Sequence, residues 1–147
     1  MDTKNLSLMR TAIYGAGSLG TILGAFINKA GVPVELINRN KAHVEALRTK
    51  GAQVTGTIEF CQPVKAYTPD EMSGTYDIIF LMTKQQHNKE VVAMLKDYLA
   101  EDGVLVTFQI GLPNFTAFKY INVTPSVSYG MNWYFRKMEK EYNPETG

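Results

Sequence analysis

The sequence has 147 residues and a formal net charge of +1, with 15 Lys and Arg against 14 Asp and Glu spread along it, so it offers no electrostatic footprint for nucleic acid or an anionic membrane. A chain of this length fits one domain that buries roughly 70% of its unfolded surface. Its single cysteine, Cys61, excludes an intrachain disulfide, no His or Cys cluster points to a metal, and no apolar run approaches the roughly 20 residues of a membrane span. A reducing, cytoplasmic setting is the expectation.

The polar start, Met1 to Arg10, lacks a signal-peptide core. Ala12-Ile13-Tyr14 then has the apolar, β-prone character of a buried parallel strand, and Gly15, Gly17 and Gly20 follow at G-x-G-x-x-G spacing. The three glycines serve different ends. Gly15 permits the tight strand-to-helix turn, Gly17 leaves room for a pyrophosphate, and Gly20 lets the helix lie close to the strand. From Ser18, the residues Leu19, Ile22, Leu23, Phe26 and Ile27 recur at helical spacing, which aims the N–H groups of a helix start at the phosphates. The alternative is a glycine-rich turn that binds nothing. Ala30-Gly31-Val32-Pro33 closes the helix, and a second strand runs over Val34 to Ile37.

An NAD site ordinarily has Asp or Glu at the tip of that second strand, holding the ribose 2′-hydroxyl. Here the tip is Leu36-Ile37-Asn38-Arg39-Asn40, and Glu35 lies back within the strand. The guanidinium fork of Arg39 suits a 2′-phosphate, and no carboxylate is present to repel one, so NADP(H) is favoured over NAD, against the alternative of a solvated arginine. Asn38 caps a helix expected from about Lys41 to Lys50, with Val44 and Leu47 inward and Gly51 as its stop. Between Ala52 and Ala66, short β-type pieces at Gln53–Thr55, Thr57–Phe60 and Val64–Ala66 read as a small added hairpin or meander. Cys61, within it, reads as a small hydrophobe.

Thr68-Pro69-Asp70 is a turn, and Asp77 to Met82 is the most apolar run, expected as a central parallel strand. Lys84 follows at its carboxyl end, where this architecture places functional side chains; an ammonium there can hold a carboxylate or polarise a ketone, against the alternative of a surface lysine. A helix over about Gln86–Leu99 turns Val91, Val92, Leu95 and Leu99 inward, and a strand over Val104–Gln109 leads to a loop and short helix ending near Phe118. His43 and His87 read as surface histidines, since neither has a carboxylate partner at short range. The alternation of strands and helices implies an α/β, Rossmann-type, doubly wound and mainly parallel sheet with a small added β hairpin, forming a single dinucleotide-binding domain over residues 1–147.

Taken together, the glycine corner, Arg39, and the segments Asp77–Lys84 and Val106–Asn114 resemble the N-terminal NADP-binding domain of the 2-dehydropantoate 2-reductase (ketopantoate reductase) family over nearly the whole chain. Gly15-Ala16-Gly17-Ser18-Leu19-Gly20 looks like that family's cofactor motif, and Arg39 stands where its NADPH-reading arginine does. Leu81-Met82-Thr83-Lys84 looks like its strand ending in a lysine that faces cofactor and substrate, and Gln109-Ile110-Gly111-Leu112 looks like its Gln-Asn-Gly loop. The resemblance implies hydride transfer from NADPH to a small 2-keto acid in pantothenate biosynthesis, with Lys84 positioning substrate and nicotinamide.

Two departures qualify the resemblance. Ile110 replaces an asparagine that would hydrogen-bond near the nicotinamide, and the family's second, helical domain, which carries the general acid, has no counterpart before Gly147. The expectation is a fragment of a longer enzyme, inactive alone because a site between two domains needs both walls. The alternatives are a stand-alone, non-catalytic dinucleotide sensor and a structural or oligomerisation domain. Tyr129, Met131, Trp133 and Phe135 alternate at period two, which suits a β-strand with one apolar face; without the helical domain to cover it, a homodimer through residues around Val127–Phe135 is expected, against the alternatives of burial in the chain's own core or disorder.

Overall fold

The computed structural model describes residues 8–108. Ile110, the short helix expected before Phe118 and the aromatic stretch around Val127–Phe135 lie outside the described residues. Within them the elements run β1 (Thr11–Tyr14), α1 (Ser18–Lys29), β2 (Val34–Ile37), α2 (Lys41–Lys50), β3 (Ala52–Val54), β4 (Phe60–Gln62), β5 (Lys65–Tyr67), β6 (Tyr76–Leu81), α3 (Asn88–Leu95) and β7 (Leu99–Thr107).

Five strands form one parallel sheet in the order β5-β2-β1-β6-β7. The chain builds outward from β1 through β2 to β5, then crosses back to lay β6 on the other side of β1, which places a topological switch point between β1 and β6. Pleating divides the core accordingly. Ile13, Val34 and Leu36 join Ala25 of α1 and Val44 and Leu47 of α2 on one face, while Ala12, Tyr14, Ile37 and Leu81 join Val91, Val92 and Leu95 of α3 on the other. This is the doubly wound α/β arrangement expected from the sequence. No helix among the described residues is long and apolar enough to cross a membrane.

Three elements depart from the sequence expectation. Val64–Ala66 does not extend the added hairpin: β3 and β4 alone pair antiparallel, and the third piece becomes β5, which pairs parallel with β2. Asn38 does not cap α2; Asn40 does, accepting from the His43 amide at 3.2 Å. The expected 86–99 helix is shorter, with 3-10 turns at Gln85–His87 and Lys96–Tyr98 flanking α3 and Leu99 already opening β7. Cys61 is exposed rather than a packed hydrophobe, with its thiol donating to the Lys50 carbonyl at 3.0 Å.

Helix α1 approaches the sheet through its small residues. Gly20, Thr21, Gly24 and Ala25 are its buried positions, whereas Leu19, Ile22 and Phe26 are among the exposed large hydrophobics. A Cβ at Gly20 would come within 2.8 Å of the Gly15 carbonyl oxygen, and one at Gly24 would press into the Leu36 side chain. The helix can therefore sit close over β1 and β2, which fixes where its first turn points.

Candidate functional site

Register brings Tyr14, Ile37 and Leu81 to one level, since Tyr14 pairs with both of the others. The chain leaves the sheet at that level in three loops: the glycine corner after β1, Asn38-Arg39-Asn40 after β2, and Met82-Thr83-Lys84 after β6. Between them lies a crevice of about 360 Å³, lined by Tyr14, Gly15, Gly17, Asn38, Arg39 and Lys84 among others. Ligands of open α/β sheets bind in such crevices at the carboxyl ends of strands beside the switch point.

The glycine corner is tied down by its backbone. The N–H groups of Gly15 and Ala16 both donate to the Ile37 carbonyl at 3.0 Å, and that of Gly17 donates to the Gly15 carbonyl at 2.8 Å. Gly15 has a φ of +95°, and a Cβ there would also meet the Thr83 amide nitrogen at 2.7 Å, so turn geometry and the approach of the β6 loop both demand glycine. A Cβ at Gly17 would meet nothing within 4 Å. Gly17 therefore opens onto free volume at the crevice wall, which is the room a bound pyrophosphate requires. The first helical hydrogen bond of α1 runs from the Thr21 N–H to the Gly17 carbonyl at 2.9 Å, so the preceding N–H groups of the first turn have no intrahelical acceptor and suit an anion.

The residues of the six-residue motif differ in what they face. Gly15 and Gly17 line the crevice, Ser18 lies with Gly17 on the wall of a neighbouring cavity, and Ala16 and Gly20 are buried as packing and hydrogen-bonding positions. Leu19 is 70% exposed on the outer side of α1 and does not line the crevice.

Arg39 and Lys84 are exposed on the crevice lining, and among the described residues neither pairs with a carboxylate. No acidic side chain among the described residues lines the crevice. Glu35, the nearest acid to the β2 tip in sequence, is committed at the opposite end of the sheet, where it accepts from Tyr76 Oη at 2.7 Å and pairs with Arg10 at 3.2 Å. Two cations with no competing anion among the described residues give the crevice a positive lining. Tyr14 closes its floor; burial pushes its phenol above the usual value of 10.0, and the charge of Arg39 pulls partly back.

Sequence reasoning missed Tyr14 and Asn38 as crevice-lining residues, because a strand's last residue and a polar loop residue carry no local sign of facing a cavity. Asn38 donates from Nδ2 to the Ala16 carbonyl at 2.8 Å and accepts from the Asn40 N–H at 2.8 Å, a lock between the two loops. His87 is exposed but lies on the crevice lining. His43 is not a free surface histidine: it is half-buried, with Nε2 2.9 Å from the Ala16 carbonyl oxygen.

A family model described as ketopantoate reductase PanE/ApbA matches residues 11–141. The 2-dehydropantoate 2-reductase of Pyrococcus horikoshii is 30% identical over 106 residues, covering 72% of this chain and 34% of that protein. That of Archaeoglobus fulgidus is 32% identical over 109 residues, covering 74% and 35%. The chain thus spans about a third of the length of these curated relatives. Among solved structures, a PanE/ApbA family ketopantoate reductase from Ralstonia eutropha JMP134 superposes with a TM-score of 0.67 at 26% identity, over 76% of this chain and 37% of that one. A D-mandelate dehydrogenase in complex with NADH and anilino(oxo)acetate superposes with a TM-score of 0.70 at 22% identity, over 78% and 38%, a likeness of fold alone.

Proposed function

The chain belongs to the ketopantoate reductase PanE/ApbA family, and we propose that it forms the NADPH-binding wall of a reductase that delivers hydride to a 2-keto acid of the ketopantoate type. The observation that carries this reading is a crevice lined by no carboxylate among the described residues, with Gly17 open onto it and Arg39 and Lys84 on its lining without a carboxylate partner among them. The site fits a dinucleotide phosphate: a helix start and an open glycine suit the pyrophosphate, and a guanidinium beyond β2 suits a 2′-phosphate.

When bound, the nicotinamide supplies the hydride chemistry. The residues of this chain bind and orient it. Gly17 and the first turn of α1 hold the pyrophosphate, Arg39 reads the 2′-phosphate, and Lys84, one loop away, holds the carboxylate or ketone oxygen of the substrate. On this reading the protein works in the cytoplasm on a small keto acid, and the remaining wall of the substrate site comes from the family's helical domain.

The test is calorimetric titration of the protein with NADPH and NADH. NADPH binds more tightly, and Arg39→Ala narrows the gap at nearly unchanged NADH affinity, with a loss of about 1.5–3 kcal/mol, roughly tenfold or more, for NADPH. Equal affinities of the unmutated protein for the two cofactors would remove Arg39 from the site.

A further inference from the structure

The carbonyl oxygen of Ala16, in the middle of the glycine corner, is the acceptor on which three side chains converge. Asn38 Nδ2 lies at 2.8 Å, His43 Nε2 at 2.9 Å and Thr21 Oγ1 at 3.2 Å. They arrive from three elements: the loop after β2, the helix α2 and the helix α1. A carbonyl has two lone pairs, so the oxygen is already satisfied without one of the three, and burial of Ala16 alone does not explain the histidine.

The surroundings do. Next to the corner lies a second cavity of about 500 Å³, lined by Ser18, Thr21, Asn40, His43, Gln53 and others, and it shares Gly17 and Asn38 with the crevice. The corner therefore borders open volume in two cavities at Gly17. Packing against the β6 loop holds Gly15 and burial holds Ala16, but a Cβ at Gly17 would meet nothing within 4 Å, so the conformation of the corner at its open end depends on polar ties. The backbone ties to Ile37 fix where the corner begins, and the side chains on Ala16 fix the peptide plane that leads into Gly17.

We propose that His43 is a positioning residue for the dinucleotide. Its Nε2–H donates to the Ala16 carbonyl, with a longer approach of 3.4 Å to Thr21 Oγ1; a carbonyl can only accept, so the ring proton sits on Nε2. The bond couples the first turn of α2 to the glycine corner and holds the Ala16–Gly17 peptide so that the start of α1 faces the crevice. His43 touches no part of the bound cofactor on this account. It acts through Ala16, on the pyrophosphate segment that NADPH and NADH share. The inference rests on the proposed dinucleotide reading of the crevice.

Three measurements test it. In His43→Leu, which keeps side-chain bulk and removes the donor, affinity falls roughly five- to tenfold for NADPH and NADH alike. In His43→Gln, whose amide restores a donor near the Nε2 position, affinity for both returns toward that of the unmutated protein, a rescue that lost packing would not show. Nitrogen-15 NMR of the unmutated protein finds the Nε2–H tautomer, with ring resonances that shift on saturation with NADPH. If His43→Leu fails to fold by circular dichroism, the ring measurement decides. Unchanged affinity in folded His43→Leu, a loss confined to NADPH, or an Nδ1–H ring overturns the proposal. Failure of the unmutated protein to bind either dinucleotide overturns the crevice assignment instead, so the two failures are separable.

Discussion

At the amino ends of β1, β2 and β6, Arg10, Glu35 and Tyr76 form a closed network, whereas at the carboxyl ends of the same strands Arg39 and Lys84 face a crevice that no carboxylate among the described residues lines. The lower network is dense. Glu35 accepts from Tyr76 and pairs with Arg10, whose guanidinium carbon lies 4.1 Å from the Tyr76 ring centroid and whose Nη1 donates to the Ser73 carbonyl. Asp77 exchanges hydrogen bonds with the Arg10 backbone in both directions at 2.8 Å. One end of the sheet thus satisfies its charges internally, and the other carries two cations without a carboxylate partner among the described residues. Glu35 and Arg39, close neighbours in sequence, therefore stand apart: the first is tied into the network at one end of the sheet, and the second, on the proposed function, reads an anion at the other.

The largest expected effect comes from filling the open end. Gly17→Val places a branched side chain where no atom now lies within 4 Å, so the domain keeps its fold while NADPH binding is lost. Thermal unfolding and calorimetry on the same sample check this, and full affinity in a folded variant would dissolve the distinction between the two ends.

Next in size is the closed end. Glu35→Ala leaves the Tyr76 hydroxyl and Arg10 without their shared acceptor and costs about 1–3 kcal/mol of stability. The unfolding temperature falls by several degrees while NADPH affinity per folded molecule is unchanged. Arg39→Ala has the reverse pattern, weaker NADPH binding at constant stability. A matching loss of stability in both variants would mean that the upper cations are structural too.

The smallest effect separates the two ends through pH. Burial first, and then the hydrogen bond and charge of Glu35, push the Tyr76 phenol well above the ordinary tyrosine value of 10.0. The unfolded phenol therefore ionises at a lower pH than the folded one. Its contribution to stability is full below about pH 10 and declines as the pH rises above it. Tyr76→Phe loses about 1 kcal/mol near neutral pH through the missing hydrogen bond and shows a shallower alkaline decline in urea unfolding between pH 8 and 11. An identical decline in both proteins would assign the alkaline loss to other groups.

The elements legible in the sequence are those whose signals are local. The turn at Gly15, the bounds of β2, the inward Val44 and Leu47 of α2 and the β6 run to within a residue follow from strand and helix periods and from glycine chemistry, which act over a few neighbouring residues. The open position at Gly17 was legible for the same reason. Relations between distant segments emerged only on folding. A three-residue strand such as Lys65–Tyr67 carries too short a pattern to say which sheet it joins, and β2 claimed it. The burial of α1 through Gly20 and Gly24 rather than its large apolar residues depended on how closely β1 and β2 could be approached. Tyr14 reached the crevice floor because parallel register aligned it with Ile37 and Leu81. His43 met Ala16, 27 residues away, because α2 folds back beside the glycine corner, a proximity that no spacing in the chain encodes.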